Sequence, residues 1–285
     1  MIPLENIQEN AQKWQERLDD ESTLRVLSED ERLEFKRISK PDRHVLLSEL
    51  FNAPAAFNII TTWYNENKWI EVLFALKKQA HIRLLELASG ANVGIPRAMS
   101  EVFNNPETCY VTVNSNKELS KWFREGTKEL PIKIEIIEDE AKKIEDFADG
   151  ESFDIVAFEH AINDIIYDMI ARKNGIDTVT KNWLDIHQEM VDLTNAELAS
   201  GTLEASVKDG LVGILSSCLK VLKKESFIVI NHFMYQYDLD KGINYDFWEN
   251  LMPLFRSWIK DAKLGEEVFF DGFEPQWWMF IKNTR

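Results

Sequence analysis

The stretch LLELASGANVGIP, from Leu84 to Pro96, combines an acidic residue, a loop of small residues and the start of a helix. Gly90 can adopt a positive φ and lets a ligand approach the backbone, and Asn92 is unusually tolerant of left-handed geometry and a good N-cap. Pro96 fits only a first helical turn, so the helix is predicted to begin near residue 92 with free N–H groups that suit an anion. We interpret this stretch as a nucleotide or cofactor loop; the alternative is an ordinary strand–helix turn.

Two histidines follow apolar runs of strand length, where a parallel sheet would place reactive groups. These are His160 and His232, and Tyr235 follows the second closely. In open α/β sheets, ligands bind outside the carboxyl ends of the strands, and a neutral imidazole titrates near the working pH. Either histidine is therefore a candidate general base, and the alternative for each is a hydrogen-bonded structural role.

The carboxylates of the same region do not form a metal set. Asp154 begins the strand that ends at Glu159, so it would lie at the opposite edge of the sheet from Asp164. We therefore predict no metal site.

The elements that must position these residues alternate regularly from residue 82 onwards. Apolar runs of strand length occupy residues 82–88, 109–115, 132–138, 152–160, 226–233, 266–272 and 275–283. Helical patterns separate the first five, which predicts right-handed βαβ units and a parallel sheet. The last two runs have too short a link for a helical crossover, so they are predicted to form an antiparallel pair.

Two further regions lie outside this alternation. Between the fourth and fifth strands are roughly 65 residues, about three times what one crossover helix needs, so a helical insert is predicted at about 163–205 with a break at Gly175. Residues 1–80 read only as helices, punctuated by Pro41 and Pro54. We interpret 1–80 as a helical cap or lid, which could also serve a dimer interface, and 81–285 as the core domain.

The composition and net charge limit the kinds of partner that this protein is expected to bind. The net charge of −16, from 33 Lys and Arg against 49 Asp and Glu, opposes binding to nucleic acid. No run approaches the roughly 18 consecutive apolar residues of a membrane span, and the N-terminus does not resemble a signal peptide. The two cysteines read as buried thiols. We therefore expect a cytoplasmic protein with a small-molecule substrate.

Five β/α units that end in an antiparallel pair resemble the class I S-adenosylmethionine (SAM)-dependent methyltransferases, over about residues 81–285. The first motif of that family reads roughly E-x-G-x-G-x-G, and Glu86, Ala88, Gly90 and Asn92 occupy its places here. Only the acid and the central glycine match. The resemblance implies a Rossmann-like, seven-stranded, mostly parallel sheet, SAM as the cofactor, and Glu86 facing the amino group of SAM. The main structural rival is a nicotinamide-binding Rossmann domain, which would prefer a fuller glycine motif and would not need the terminal pair.

Two later motifs are matched in part. Where the family carries an acid that binds the ribose hydroxyls, this sequence has Asn114, an amide without a carboxylate's charge. Where the family often shows an acid followed by alanine at the adenine, it has Glu140 and Ala141. The alternative for that pair is a solvated, acidic helix N-terminus.

The fourth strand, ESFDIVAFEHAIND, resembles the family strand that begins with Phe-Asp. It places Glu159 at the cofactor and Asn163 and Asp164 at the substrate, beside His160. Aromatic residues of the cap and insert, namely Trp63, Tyr64 and Trp183, together with Tyr235, could line an apolar pocket, although aromatic residues more often pack helices together.

The sequence as a whole predicts a SAM-dependent methyltransferase that acts on O or N of a small, hydrophobic or aromatic molecule. One alternative is a non-catalytic or regulatory protein that keeps the fold, which Asn114 and the reduced glycine loop favour. A second alternative is a peptide or protein methyltransferase, which the acidic surface favours.

Overall fold

The computed structural model describes residues 57–76, 79–103, 105–148, 150–232 and 241–285, and of residues 57–65 and 67 it describes the backbone alone. The strands are β1 (Arg83–Leu87), β2 (Cys109–Val113), β3 (Lys133–Ile137), β4 (Phe153–Glu159), β5 (Leu222–Asn231), β6 (Glu266–Val268) and β7 (Trp278–Lys282). The helices are α1 (Phe57–Leu76), α2 (Gly94–Val102), α3 (Lys117–Thr127), α4 (Ile144–Phe147), α5 (Ile162–Lys173), α6 (Trp183–Ser200), α7 (Leu203–Val221), α8 (Tyr245–Glu249) and α9 (Leu251–Asp261).

The strands form one seven-stranded sheet in the order β3-β2-β1-β4-β5-β7-β6. The first five pair in parallel, and β7 runs antiparallel to both β5 and β6. The order reverses between β1 and β4, which opens a crevice at the carboxyl ends of the strands. The predicted Rossmann-like sheet with a terminal antiparallel pair is therefore confirmed.

Of the strand boundaries, the start of β5 and the end of β6 differ most from the predicted ones, each by four residues. Strand β5 begins at Leu222 rather than 226, because Leu222 pairs with Phe153 of β4 ahead of an irregularity in the register. The side chain of Asn283 also donates to the carbonyls of Leu219 (3.1 Å) and Leu222 (2.8 Å), where α7 ends. Strand β6 ends at Val268 instead of extending to 272, since the chain turns there and the rings of Phe270 and Phe273 contact Phe280.

Buried side chains cover both faces of the sheet. Leu85 and Leu87 point to the face covered by α5, α6, α7 and α9, whereas Leu84 and Glu86 point to the face covered by α1, α2 and α3. Burial on both faces explains why the strands are almost continuously apolar.

Helix α1 lies along the face that Leu84 and Glu86 point to, and the side chain of its Trp69 is fully buried there. Gln79, just beyond the end of α1, donates to Asp154 (3.1 Å) at the start of β4, and Glu66 lies close enough to Glu159 at the end of β4 to raise its pKa. The N-terminal half of α1 is therefore at the carboxyl edge of the sheet. Residues 1–56 of the predicted cap lie outside the described residues, and the domain boundary near residue 80 stays a prediction.

The predicted insert holds α5 and α6, with Gly175 at φ 79 just after α5. The connection between them is tied to α3: Asn116 donates to the carbonyls of Thr178 and Lys181, both at 2.9 Å. Within the described ranges, no helix combines the length and apolar character that a membrane span requires.

Candidate cofactor site

The loop after β1 keeps the backbone geometry of a glycine-rich turn with fewer glycines. Gly90 has φ 59, as predicted, and Ala88 has φ 54 in the place of a family glycine. A non-glycine residue in this region costs roughly 1–2 kcal/mol, so other contacts must hold it there. One of them is the bond from the Ala88 N–H to the carbonyl of Val113 on β2 (2.9 Å).

The helix that follows begins slightly later than predicted. Helix α2 starts at Gly94, with Val93 rather than Asn92 as its N-cap. A Cβ added at Gly94 would lie 3.7 Å from both carboxylate oxygens of Glu159, so the helix start is close to this carboxylate. The N–H of Gly94 donates to the side-chain oxygen of Asn92 (2.9 Å). The expectation of free N–H groups at this helix start is therefore wrong for Gly94, because the protein itself supplies the acceptor.

Asn114, in the place of the family's ribose-binding acid, is turned towards the loop. Its side-chain nitrogen donates to the carbonyl of Gly90 (2.7 Å) and its oxygen accepts from the N–H of Gly90 (3.3 Å). The side chain is buried. An aspartate could accept the second bond but could not donate the first while ionised. The amide therefore fixes the turn that Gly90 makes.

A cavity of about 380 Å³ opens beside this turn, a volume within the usual range of small-molecule pockets. Of the predicted residues, it is lined by Ala88, Gly90, Asn114, Glu140, Ala141, Asp164 and Trp183. The apolar part of the lining comes from β2 and α3 on one side and from α5 and α7 on the other, through Val113, Leu119, Ile165, Met169 and Ile214. The first, second and third predicted motifs therefore meet at one cavity, which the insert helix α5 closes from the other side.

The charged wall of the cavity is an ion-pair network. Glu140 pairs with Lys142 (2.6 Å) and with Arg172 of α5 (3.1 Å). The hydrogen bond from Lys142 is the main cause that lowers the pKa of Glu140, and the charges of Arg172 and Lys143 add to it. The carboxylate is therefore ionised at neutral pH and can accept from a ligand.

Three of the predicted cofactor residues lie elsewhere. Glu86, Asn92 and Glu159 do not line the cavity; Glu86 bonds to the Tyr110 hydroxyl, and Asn92 donates to Glu159 (2.8 Å). The pKa of Glu86 is raised by burial and by the charge of Glu159. Burial, opposed in part by the bond from Asn92, raises the pKa of Glu159 to about 7. Glu86 and Glu159 thus form a buried acidic pair behind the loop.

Replacement of Glu159 by glutamine should flatten the dependence of stability on pH. A carboxyl group whose folded-state pKa is about 7 stabilises the fold fully below its ordinary value of 4.5, and that contribution is lost as pH rises towards 7. The loss is on the order of 3 kcal/mol in the native protein. Glutamine keeps the oxygen that accepts from Asn92. Urea unfolding at several pH values between 4.5 and 8 measures the slope.

The exposed Glu118 of α3 supplies the matched control. Glu118→Gln should keep the native slope. If Glu159→Gln has the same slope as the native protein, the buried carboxyl is not the group that titrates.

The predicted histidines are neighbours at the carboxyl edge. The rings of His160 and His232 stack with centroids 5.4 Å apart and 4° between planes. His232 is buried and bonds through Nε2 to the carbonyl of Trp248 (3.1 Å). Burial lowers the pKa of His232 to about 4. The pKa of His160 is also well below its ordinary value, mainly because the ring is buried and in part because of the neighbouring His232. Both imidazoles are therefore neutral at pH 7.

His160 adopts a left-handed φ of 47, fixed by bonds from its N–H to the side chain (2.9 Å) and carbonyl (3.1 Å) of Asn231. The side-chain nitrogen of Asn163 lies 3.2 Å from Nε2 of His160 and donates to Asp164 (3.1 Å). An amide nitrogen can only donate, so Nε2 is an acceptor in this arrangement. Asn163 and Asp164 thus connect the histidines to the cavity that Asp164 lines.

The remaining predicted substrate residues fall at the edges of the described part of the chain. Tyr235 lies outside the described residues, as do the side chains of Trp63 and Tyr64. In the described part of the chain, no three His, Cys, Asp or Glu side chains form a group that could hold a metal ion.

Sequence reasoning missed Arg172 and its partners at the cavity. Arg172 donates from Nε to Asp168 (2.8 Å), one turn earlier on α5. The i, i+4 spacing of the two opposite charges was a signal for an ion pair on a helix face. That this face points at Glu140 depends on how the insert folds back.

The strand order and orientation are those of a Rossmann-like, mostly parallel sheet that ends in an antiparallel pair. Among solved structures, the chain is similar to the CurJ carbon methyltransferase, with 11% identity and a TM-score of 0.47, over 84% of this chain and 57% of that one. It is also similar to a Methanococcus maripaludis protein provisionally assigned as a SAM-dependent methyltransferase (8% identity, TM-score 0.46, 78% and 85% covered) and to precorrin-6y C5,15-methyltransferase of Geobacter metallireducens (12%, 0.43, 80% and 92%). No family model and no curated protein matches the sequence.

Proposed function

We propose that this chain is a SAM-dependent methyltransferase that transfers a methyl group to O or N of a small, hydrophobic or aromatic molecule. One observation carries the proposal: Ala88, Gly90, Asn114, Glu140 and Ala141, selected from three separate motifs, all line one cavity at the switch point of the sheet.

The chemistry of the lining fits the adenosine part of SAM. Gly90 presents a backbone without a side chain, and Leu119 and Ile165 offer apolar surfaces on which a base can lie. The ionised Glu140 supplies an acceptor for an amino group. Asn114 contributes the shape of the turn rather than a charge.

When bound, SAM supplies an activated methyl group on a sulfonium, and the protein's task is alignment of donor and acceptor. The histidine pair is where this chain would remove a proton from the acceptor. A neutral imidazole accepts a proton at its unprotonated nitrogen. In His232 that nitrogen is Nδ1, because Nε2 donates to the carbonyl of Trp248. In His160 it is Nε2, which would exchange the amide of Asn163 for the substrate.

Substitution of the histidines should separate turnover from cofactor affinity. His160→Gln and His232→Gln are each expected to lower methyl transfer by about 100-fold or more, because positioned general bases contribute that much. The affinity for S-adenosylhomocysteine (SAH), the demethylated product, should stay unchanged, since neither ring lines the cavity. The half-exposed His81 offers a control: His81→Gln should leave both quantities unchanged.

Transfer from tritiated SAM into extracts fractionated by size identifies the acceptor and provides the turnover assay. Label in the low-molecular-weight fraction supports the proposal, and label only in protein favours the peptide or protein methyltransferase. If both histidine variants transfer methyl groups at the native rate, the assignment of a general base is wrong.

The second candidate is a non-catalytic protein that retains the fold. It is favoured by Asn114, whose amide is committed to Gly90 where the family has a carboxylate for the ribose. Titration calorimetry with SAH tests first whether the cofactor binds. If a high concentration of SAH gives no heat and no thermal shift, the assignment of SAM as the cofactor is wrong. Binding of SAH without transfer to any fraction would favour the regulatory protein.

A further inference from the structure

The acid that the family resemblance assigns to the amino group of SAM already has a partner within this chain. Glu86 is 1% exposed and accepts from the hydroxyl of Tyr110. Tyr110 is itself fully buried and stacks on Phe123 with ring centroids 5.6 Å apart, so its hydroxyl is fixed where Glu86 receives it. If Glu86 turned to an ammonium group, it would leave that buried hydroxyl without its partner, which is unfavourable.

The start of α2, where free N–H groups would suit the carboxylate of the same amino acid, is also occupied. The N–H of Gly94 donates to the side-chain oxygen of Asn92 (2.9 Å), and the side-chain nitrogen of Asn92 donates to Glu159 (2.8 Å). Pro96, in the same turn, has no N–H. An incoming carboxylate would therefore meet the carboxyl group of Glu159, which lies close to Gly94, rather than a free donor.

The cavity is lined by groups that suit adenosine, and the two buried acids do not reach it. Gly90, Leu119 and Glu140 are part of its lining, whereas Glu86 and Glu159 are not. Burial, followed by the charge of Glu159, also raises the pKa of Glu86 well above its ordinary value. A carboxyl group that resists ionisation attracts a cation less strongly.

The acidic side chains that α5 adds to the lining are bonded to neighbours on that helix. Asp164 accepts from the side chain of Asn163 (3.1 Å). Asp168 accepts from Nε of Arg172 (2.8 Å). Both acids are therefore paired within the protein before a ligand enters the cavity.

We propose that this chain binds its cofactor through the 5′-thioadenosine part, and that the amino-acid part adds little affinity because Glu86, Asn92 and Glu159 have partners within the protein. This inference rests on the proposed function and specifies which part of SAM is recognised. It departs from the resemblance, which implies that Glu86 holds the amino group. The class of ligand that the site accepts is then a 5′-thioether of adenosine, with or without the amino acid.

Titration calorimetry on the full chain compares SAH with 5′-methylthioadenosine, which keeps the adenosine and the sulfur but lacks the amino acid. The native protein should bind the two ligands within about tenfold of each other. A site that bonds to the amino-acid end would instead prefer SAH by at least about 100-fold, because an analogue that lacks the bonded group leaves its partners unpaired. That preference would overturn the inference while the proposed function stands.

Competition shows whether the two ligands share one site. An excess of 5′-methylthioadenosine should abolish the heat of SAH binding, since both are expected in the same cavity. If SAH binds with its full heat in the presence of saturating 5′-methylthioadenosine, the two occupy different sites and the inference is wrong.

Substitution at position 86 provides a second measurement. Glu86→Gln keeps an acceptor for Tyr110 and removes the charge that would face an ammonium group, so SAH affinity should change by less than about twofold. If Glu86 holds the amino group, the loss of its charge should weaken SAH binding by about tenfold or more and leave 5′-methylthioadenosine binding unchanged. That second result would overturn the inference.

The exposed Glu118 of α3 supplies the matched control for the loss of an acid. Glu118→Gln should bind both ligands as the native protein does. If Glu86→Gln does not fold, the comparison of the two ligands on the native protein decides. Failure of the native protein to bind either ligand would refute the proposed function itself.

Discussion

Substitution of Gly90 by valine is expected to abolish SAH binding while the protein stays folded. Gly90 has φ 59 and lines the cavity, and an added Cβ would lie 3.8 Å from Cδ1 of Leu119. There is room for one carbon, but the branches of valine would project into the space beside the loop. We expect the dissociation constant to rise at least about 100-fold, equivalent to roughly 2.7 kcal/mol. Titration calorimetry with SAH measures it.

The fold should survive because the left-handed backbone costs a non-glycine residue only about 1–2 kcal/mol, against a typical stability of about 5–15 kcal/mol. Gly175 offers a matched control: it has φ 79, and nothing lies within 4 Å of an added Cβ. Gly175→Val should suffer similar strain and bind SAH normally. Native SAH affinity in Gly90→Val would mean that the loop after β1 is not a cofactor loop.

The fold could be predicted from the sequence because its signals are local. The buried parallel strands are short apolar runs, and helical patterns between them leave few topologies open. The errors lie where a distant residue decides. Strand β5 begins at Leu222 because that residue pairs with Phe153 of β4, about 70 residues earlier in the chain, and Asn283 bonds to the carbonyls of Leu219 and Leu222. No pattern around residue 222 carries that information.

The site could be predicted only in part, for the same reason. Motif positions identified Gly90 and Glu140, because the ends of neighbouring strands must lie together. The direction of each side chain was not fixed by position. Glu86 and Glu159 point to the opposite face of the sheet from Leu87 and Phe158, and Arg172 reaches the cavity only because the insert folds back over it.

Asn114 is the residue for which the motif and the structure give different roles, and aspartate at this position separates them. In the family motif, an acid here binds the ribose, so Asn114→Asp would strengthen cofactor binding. In the structure, the amide nitrogen donates to the carbonyl of Gly90 at 2.7 Å. An ionised carboxylate would place an oxygen against that carbonyl in a buried position, and the donor would be lost.

We expect the structural role of Asn114 to dominate, so the effect of Asn114→Asp on stability should depend on pH. Burial and the facing carbonyl should raise the folded-state pKa of the new carboxyl group above its ordinary value, about 3.9. Below the ordinary value, about 3.9, the carboxyl group is protonated and can donate to the carbonyl of Gly90, so Asn114→Asp should be nearly as stable as the native protein. As pH rises through the folded-state pKa, this contribution is lost, and the variant should be less stable by about 1–3 kcal/mol at pH 8.

The affinity of Asn114→Asp for SAH should fall in parallel with its stability, since the turn at Gly90 would no longer be held. Urea unfolding and calorimetry between pH 5 and 8 measure both. Asn174→Asp is the control, because Asn174 also donates to a carbonyl, that of Ile170 (2.8 Å), at the end of α5 and away from the loop. It should lose stability without losing SAH affinity. Tighter SAH binding by Asn114→Asp than by the native protein at pH 8 would show that position 114 serves the ribose, and that its bonds to Gly90 are secondary.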